Sequence, residues 1–304
     1  MALLKSRKAV ISDLEEVAAT APEIRTPLQQ ALRRFRRNTI ARIGLGILVV
    51  LILIVLLGPL FAKYDPDAVD LMSVNARPSA EHIIGCDQLG RDLLTRLFYG
   101  GRISLAVGLM SALLSIALGS LIGSLAGFYG GIVDGILMRF TDLVLTIPSL
   151  PLLMVFGLIF KPSPAFLVVM IALLMWPSSA RLVRSRFLTL RELDYMKAAR
   201  ATGESDIRMI LSHLLPNSLD VIVVTATLSV GNSIIMESTL SFLGCGINPP
   251  TASWGNMLQG AQSTMAPAPL TAIAPGLMIL LTVLAFNFLG DGLADATDPK
   301  RDRQ

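Results

Sequence analysis

Charge is scarce in this sequence. Asp, Glu, Lys and Arg make up 16% of its 304 residues, where soluble domains carry about 25%. So few charges cannot cover a large soluble surface, and a mean hydropathy of +0.65 points the same way. Cysteine and histidine are scarcer still. Cys86 and Cys245 have no local framework around them; a disulfide is open to them in an oxidising compartment, and two unpaired thiols fit the spacing better. With His82 and His213 they are divided between the two sides of the predicted membrane and make no metal-ligand set. Gly-x-x-x-x-Gly-Lys-Ser/Thr does not occur, which excludes a phosphate-cradling loop of that kind. Paired catalytic carboxylates and a Ser/His/Asp set are likewise missing. No basic patch is interleaved with aromatics, so nucleic acid is not an expected partner. The chain reads as a non-catalytic, cofactor-free protein whose energy comes from elsewhere.

What is present is apolar sequence in clusters. Uncharged runs cover 43–62, 103–131, 143–160, 162–180, 221–236 and 270–290. A helical span needs about 20 residues, and the shorter runs can borrow their flanks; the fifth can run on toward Leu243. The fold class is therefore all-α: a polytopic membrane bundle of six transmembrane helices. A basic stretch of about 40 residues before the first run is too long for the n-region of a signal peptide, so that run reads as an uncleaved anchor. Lys and Arg set the orientation. Nine fall in 1–42, seven in 181–217 and three in 290–304; the alternate loops hold four in 63–101, one in 161–164 and none in 244–269. The positive-inside rule then makes both termini and 181–217 cytoplasmic. The expected divisions are a cytoplasmic tail 1–42, a first membrane helix 43–62, an external segment 63–101, and a core 102–304 carrying five helices and the cytoplasmic loop 181–217. A multi-pass membrane protein follows, with lipid as its solvent.

Several local features carry information. Thr26-Pro27-Leu28-Gln29 reads as a capping box with proline at the first helical position. Behind it Leu28, Ala31, Leu32 and Phe35 share a face among arginines, which fits an interfacial amphipathic helix or a basic flank that only sets orientation. Gly85-Cys86-Asp87-Gln88-Leu89-Gly90-Arg91-Asp92 reads as a turn, an N-capped helix and a glycine stop at Gly100-Gly101, with Arg96 and Arg102 forming a structural ion-pair cluster. Ser111, Ser115, Gly119, Gly123 and Gly127 recur every four residues, a small-residue stripe for close helix packing, with pore lining as the alternative. Pro148 and Pro151 should kink the third span, as a packing feature or a break beside a translocation path. Of the acids near spans, Asp142 has Arg139 one turn away as a partner, and Asp220 sits at the inner interface. Glu237 can line or gate the path or serve as a structural hydrogen-bonding group.

The stretch 181–217 is the most informative. Asp194 can cap a helix over 195–202; Gly203 can take the left-handed conformation that ends it; Ser205 can cap a second helix over 206–215, which Pro216 stops. Ala198 and Ala199 leave a smooth face for another protein. Ala198, Ala199, Gly203, Leu215 and Pro216 resemble the cytoplasmic signature loop of permease subunits of ATP-binding-cassette importers, where such a hairpin docks on the ATPase. Lys197 stands where that family often has an acidic residue, and His213 where it often has an aliphatic one. The 85–92 segment is similar to one branch of that family, the peptide and nickel importers, with Cys86 in place of a usual threonine. So are Glu237–Gly244 with Pro249-Pro250 and Ser253-Trp254-Gly255, and Phe286–Leu293 with Asp298-Pro299. The resemblance implies an ATPase-coupling set of Lys197, Ala198, Ala199, Gly203, Asp206, Leu215 and Pro216, and Pro148, Pro151 and Glu237 as candidates for the path or gate. It also implies a second homologous permease, two ATP-binding-cassette ATPase subunits and an external solute-binding protein, with short peptides or nickel as solute. Two other readings stay open on the residues: a proton-coupled secondary transporter, which would need buried acids or histidines along a path, and a structural membrane anchor.

Overall fold

The computed structural model of this chain describes residues 27–160 and 162–297. The tail 1–25, Thr26 of the capping box, Lys161 and the Asp298-Pro299 pair lie outside them. Among the described residues every regular element is helical, apart from one isolated bridge between Cys86 and Asp92. In chain order these are α1 (Pro27–Arg37), α2 (Thr39–Phe61), α3 (Leu93–Tyr129), α4 (Gly131–Thr146), α5 (Ser149–Phe160), α6 (Pro164–Arg191), α7 (Asp194–Ala201), α8 (Asp206–Arg208), α9 (Leu219–Phe242), α10 (Trp254–Ala261) and α11 (Leu270–Thr297). Five of them are long and apolar enough to cross a membrane, and α4 with α5 passes as a sixth span bent by 73°. The break falls at Ile147-Pro148. Pro148 disfavours helix in the residue before it, and Ile147 is extended. Pro151 does not kink α5. It lies in the first turn, where its missing N–H would have had no helical partner.

α3 forms the spine. Its 37 residues rise about 55 Å, well beyond the ~30 Å hydrocarbon core. Asp92 caps it, its Oδ2 accepting from the Thr95 N–H at 2.8 Å. The helix thus begins inside the 63–101 stretch expected to be external, and Gly100-Gly101 does not stop it. Those glycines admit a neighbour instead: a Cβ on Gly101 would lie 2.6 Å from Val55 and 2.7 Å from the Trp254 ring, and one on Gly100 would crowd the backbone of Ser253. Further along, Gly119 and Gly127 meet Ser179 and Phe187 of α6, and Gly123 meets the Ala180 backbone. The small-residue stripe is a helix seam, with α3 and α6 the most closely associated pair in the bundle. α6 runs on to Arg191, so 181–191 belongs to a membrane helix and only 192–218 is the connecting hairpin.

α2 and α3 are tied by a repair of the backbone. Pro59 inside α2 has no N–H to give to Val55. Arg102 donates there instead, Nε to Val55 O at 3.2 Å and Nη2 to Leu56 O at 2.7 Å. Other charges pair across helices. Asp142 bonds Arg181 at 2.6 Å, so Arg139 is not the partner the sequence suggested, because the α4–α6 contact brings a better-placed guanidinium. Arg184 holds Asp134 with two hydrogen bonds of 2.5 Å, and Arg186 donates to Asp220 at 2.8 Å.

Candidate functional site

The hairpin after α6 is built on one conformationally demanding residue. Gly203 has φ +76°, the left-handed region open to glycine. Its N–H donates to Arg200 O at 3.1 Å and the Glu204 N–H to Ala199 O at 3.2 Å, the paired bonds of a Schellman motif that ends α7. The start differs from expectation: Leu193 caps α7 without a side-chain bond, and Asp194 is the first helical residue, paired with Lys197 at 3.3 Å. Ser205 caps α8 through its backbone alone. The second arm is also not one regular α-helix. After Asp206–Arg208 it widens into a π turn over Met209–Leu214, and Leu215 donates to Ile210 O, five residues back, at 2.8 Å. Pro216 does not stop the chain. It opens a 3-10 turn, Pro216–Ser218, that feeds directly into α9.

Glu204 closes the two arms by bonding His213 Nε2 at 2.9 Å and pairing with Arg208 at 3.3 Å. One face of the hairpin is clamped: Met196, Met209 and Leu214 are buried with Phe128 of α3 and Val183 and Phe187 of α6. The other face is open. Lys197, Ala198, Gly203, Asp206 and Pro216 are exposed, Ala199 and Leu215 half-buried. Ile207 and Leu211, 70% and 57% exposed, add an apolar patch that the alanine and glycine spacing did not announce. Only their i, i+4 spacing on the second arm signalled it.

Pro148 and Pro151 lie at the α4–α5 bend, both exposed. Glu237 is elsewhere, about 27 Å up α9 from Leu219 at 1.5 Å per residue, so the candidates do not converge on one site with the hairpin. Glu237 is fully buried. Its carboxylate accepts from Ser104 Oγ at 3.0 Å, Ser241 Oγ at 2.8 Å and Ser238 Oγ at 3.3 Å. Ser104 Oγ accepts in turn from the Trp254 N–H at 3.1 Å, and Ser241 Oγ from the Ile247 N–H at 3.0 Å. One acid therefore joins α3, α9 and the segment entering α10. Ser104 and Trp254 are 150 residues apart and nothing in the sequence pairs them.

Next to this network, in the 63–92 segment and the start of α3, the expected ion-pair cluster is present in part: Arg91 pairs with Asp87 at 2.7 Å and Arg96 with Asp67 at 3.2 Å, His82 Nδ1 hydrogen-bonds Asp92 at 3.0 Å, and Arg102 lies outside it, its guanidinium spent on the α2 carbonyls. Cys86 and Cys245 are free and buried. Burial, and then the carboxylates of Asp92 and Asp87, push the Cys86 thiol from 9.0 up to about 11.

A family model described as the binding-protein-dependent transport system inner membrane component matches residues 119–303. The chain belongs to that family. A second model, the N-terminal membrane domain of oligopeptide transport permease C, matches residues 26–78. A putative peptide permease protein of Brucella ovis is 43% identical over 293 residues, covering 96% of this chain and 97% of that one. The glutathione transport system permease protein of Salmonella typhimurium is 43% identical over 279 residues, 91% and 92% of the two chains. Its Shigella flexneri counterpart is 40% identical over 295 residues, 97% of each. This permease is a multi-pass inner-membrane subunit of an ATP-binding-cassette importer of the dipeptide and oligopeptide branch. It is non-catalytic; ATP hydrolysis lies in partner subunits of a transport complex that works with a binding protein.

Proposed function

We propose that this permease moves short peptides inward and is driven through the 192–218 hairpin by an ATP-binding-cassette ATPase seated on its open face. The observation that carries the reading is the hairpin's two-sidedness. Ile207, Leu211, Ala198 and Lys197 face outward, while Met196, Met209 and Leu214 are packed into α3 and α6. A partner gripping the open face pulls on the clamped face, and α6, ending at Arg191, and α9, beginning at Leu219, directly flank the hairpin. Moving a two-state equilibrium from 1:99 to 99:1 takes about 5.5 kcal/mol of differential interaction, which nucleotide-dependent contacts to this patch would supply. The names of the relatives support a peptide solute, and both termini and the hairpin are assigned to the cytoplasm on their basic residues. A second permease of related sequence and a pair of ATPases complete the complex in this reading.

The test is thiol cross-linking in membranes. Cys86 and Cys245 are buried, so Ile207→Cys gives a reporter on a quiet background. A short homobifunctional thiol reagent should join it to cysteines introduced on the ATPase surface, with a yield that changes between ATP-bound and nucleotide-free states. Cross-links confined to cysteines facing the opposite side of the membrane would refute the assignment.

A further inference from the structure

A cavity of about 150 Å³ lies between the 87–96 segment and α10, at the end of the bundle opposite the hairpin. Two guanidiniums line it, Arg91 and Arg96, only 8% and 2% exposed. They share one carboxylate: Asp87 Oδ2 accepts from Arg91 Nε at 2.7 Å and stands 3.7 Å from Arg96 Nε. Asp87 Oδ1 is already taken by the N–H groups of Leu89 and Arg91. Arg96 Nη1 is committed to Pro66 O at 2.8 Å and Asp67 Oδ1 at 3.2 Å. Arg96 Nε is therefore left with no hydrogen-bond acceptor among the described residues, and Arg91 makes its one side-chain bond through Nε. Asp87 and Asp67 balance the two guanidiniums in charge, so what stands open is donor capacity, Arg96 Nε having no acceptor. Gln88 uses its Oε1 to accept from Ser263 and leaves its amide nitrogen unspent. Leu93 and Met257 form an apolar wall beside them.

Buried guanidinium N–H groups are costly to leave unmatched, and their planar fork suits a carboxylate bidentately. The volume is that of a cavity holding one six-membered ring, enough for a carboxylate on a short stem and too small for a protein segment. We propose that this cavity binds the free carboxylate of a small solute through Arg91, Arg96 and Gln88. That the carboxylate is a peptide's C terminus rests on the peptide reading above; the site itself does not. The position at the non-hairpin end makes it a receiving site on the face where, in that reading, solute arrives.

Saturation-transfer NMR on the assembled membrane complex, without its binding protein, tests this with glycylglycine, acetate and glycylglycinamide. Glycylglycine and acetate should bind, and the amide about tenfold more weakly or less, as expected for loss of a charge-assisted pair. Arg91→Gln should weaken glycylglycine about tenfold or more. Gly260→Leu should do the same without altering charge, because Gly260 lines the cavity and a Cβ there meets only Gln88, with Nε2 nearest at 3.4 Å, so a larger side chain takes up space the solute would use. Equal binding of acid and amide, no binding at all, or wild-type binding by either variant overturns the proposal. The binding protein is then titrated back, and a variant that loses only affinity for it also overturns the proposal, since an acidic side chain of that protein would then fill the cavity. ATP-driven glycylglycine uptake is measured in parallel. No uptake with carboxylate binding intact removes the peptide reading and leaves the site standing.

Discussion

The two halves of α3 hold their neighbours by different means. The first half uses directional bonds: Asp92 as cap, Arg96 on Pro66 O, Trp254 Nε1 on Leu97 O at 3.0 Å, and Ser104 between Trp254 and Glu237. The second half relies mainly on shape, with Gly119, Gly123 and Gly127 letting the α6 backbone approach closely and a single side chain, Arg191, bonding its last turn. Hydrogen bonds in a buried network are satisfied together or fail together. A glycine seam is made of many weak contacts that depend on close approach. The polar half thus fixes the end that carries the carboxylate cavity. The glycine half carries the hairpin, so a displacement there reaches α3 through close packing and through Arg191 Nη1 on Phe128 O at 3.1 Å.

This difference can be broken from either side. Gly123→Val should have the largest effect, because its side chain collides with the Ala180 backbone rather than with a movable side chain. Overpacking costs about 1–3 kcal/mol even where side chains can yield, so most of the protein should be lost from the monodisperse peak in size exclusion. Glu237→Leu comes next. It strips the acceptor from Ser104 and Ser241, which are both fully buried. Two hydrogen bonds of about 0.5–1.5 kcal/mol each are removed, seen as a lower thermal midpoint in detergent, with Glu237→Gln intermediate. Arg184→Gln should cost less, about 1 kcal/mol, since the guanidinium it removes from Asp134 is partly solvated; chemical denaturation of the two proteins measures it. Smallest is the response of Cys86 to thiol reagents. With the thiol raised from 9.0 to about 11, its thiolate at pH 8 is about a hundredfold scarcer than in the unfolded chain. Maleimide at that pH should label Cys86 only after denaturation.

The sequence made the membrane class, the small-residue seam, the Gly203 turn and the charged cluster legible, because each rests on local periodicity or on one residue's conformational preference. Helix ends were read less well. Arg96, Arg102 and Arg181–Arg191 look like loop by charge, yet they are helical because partners across the bundle accept their N–H groups. Gly100-Gly101 looked like a stop because a glycine pair gives no hint of the indole that rests on it. The π turn at Met209–Leu214 and the Glu237 network were not visible at all. The first follows from the clamp of Met209 and Leu214 against α3 and α6, and the second joins residues more than a hundred positions apart.

The central claim, that force enters through the hairpin, meets its most direct test in Gly203→Val reconstituted with the complete importer. A Cβ at Gly203 meets no neighbour, so the substitution strains only the +76° backbone, at roughly 1–2 kcal/mol, and leaves the rest of the bundle intact. ATP hydrolysis and solute uptake are then measured on the same vesicles. Hydrolysis continuing while uptake falls about tenfold or more, the equivalent of 1.4 kcal/mol, is the expected result. Uptake per ATP equal to that of the unaltered protein would contradict the account.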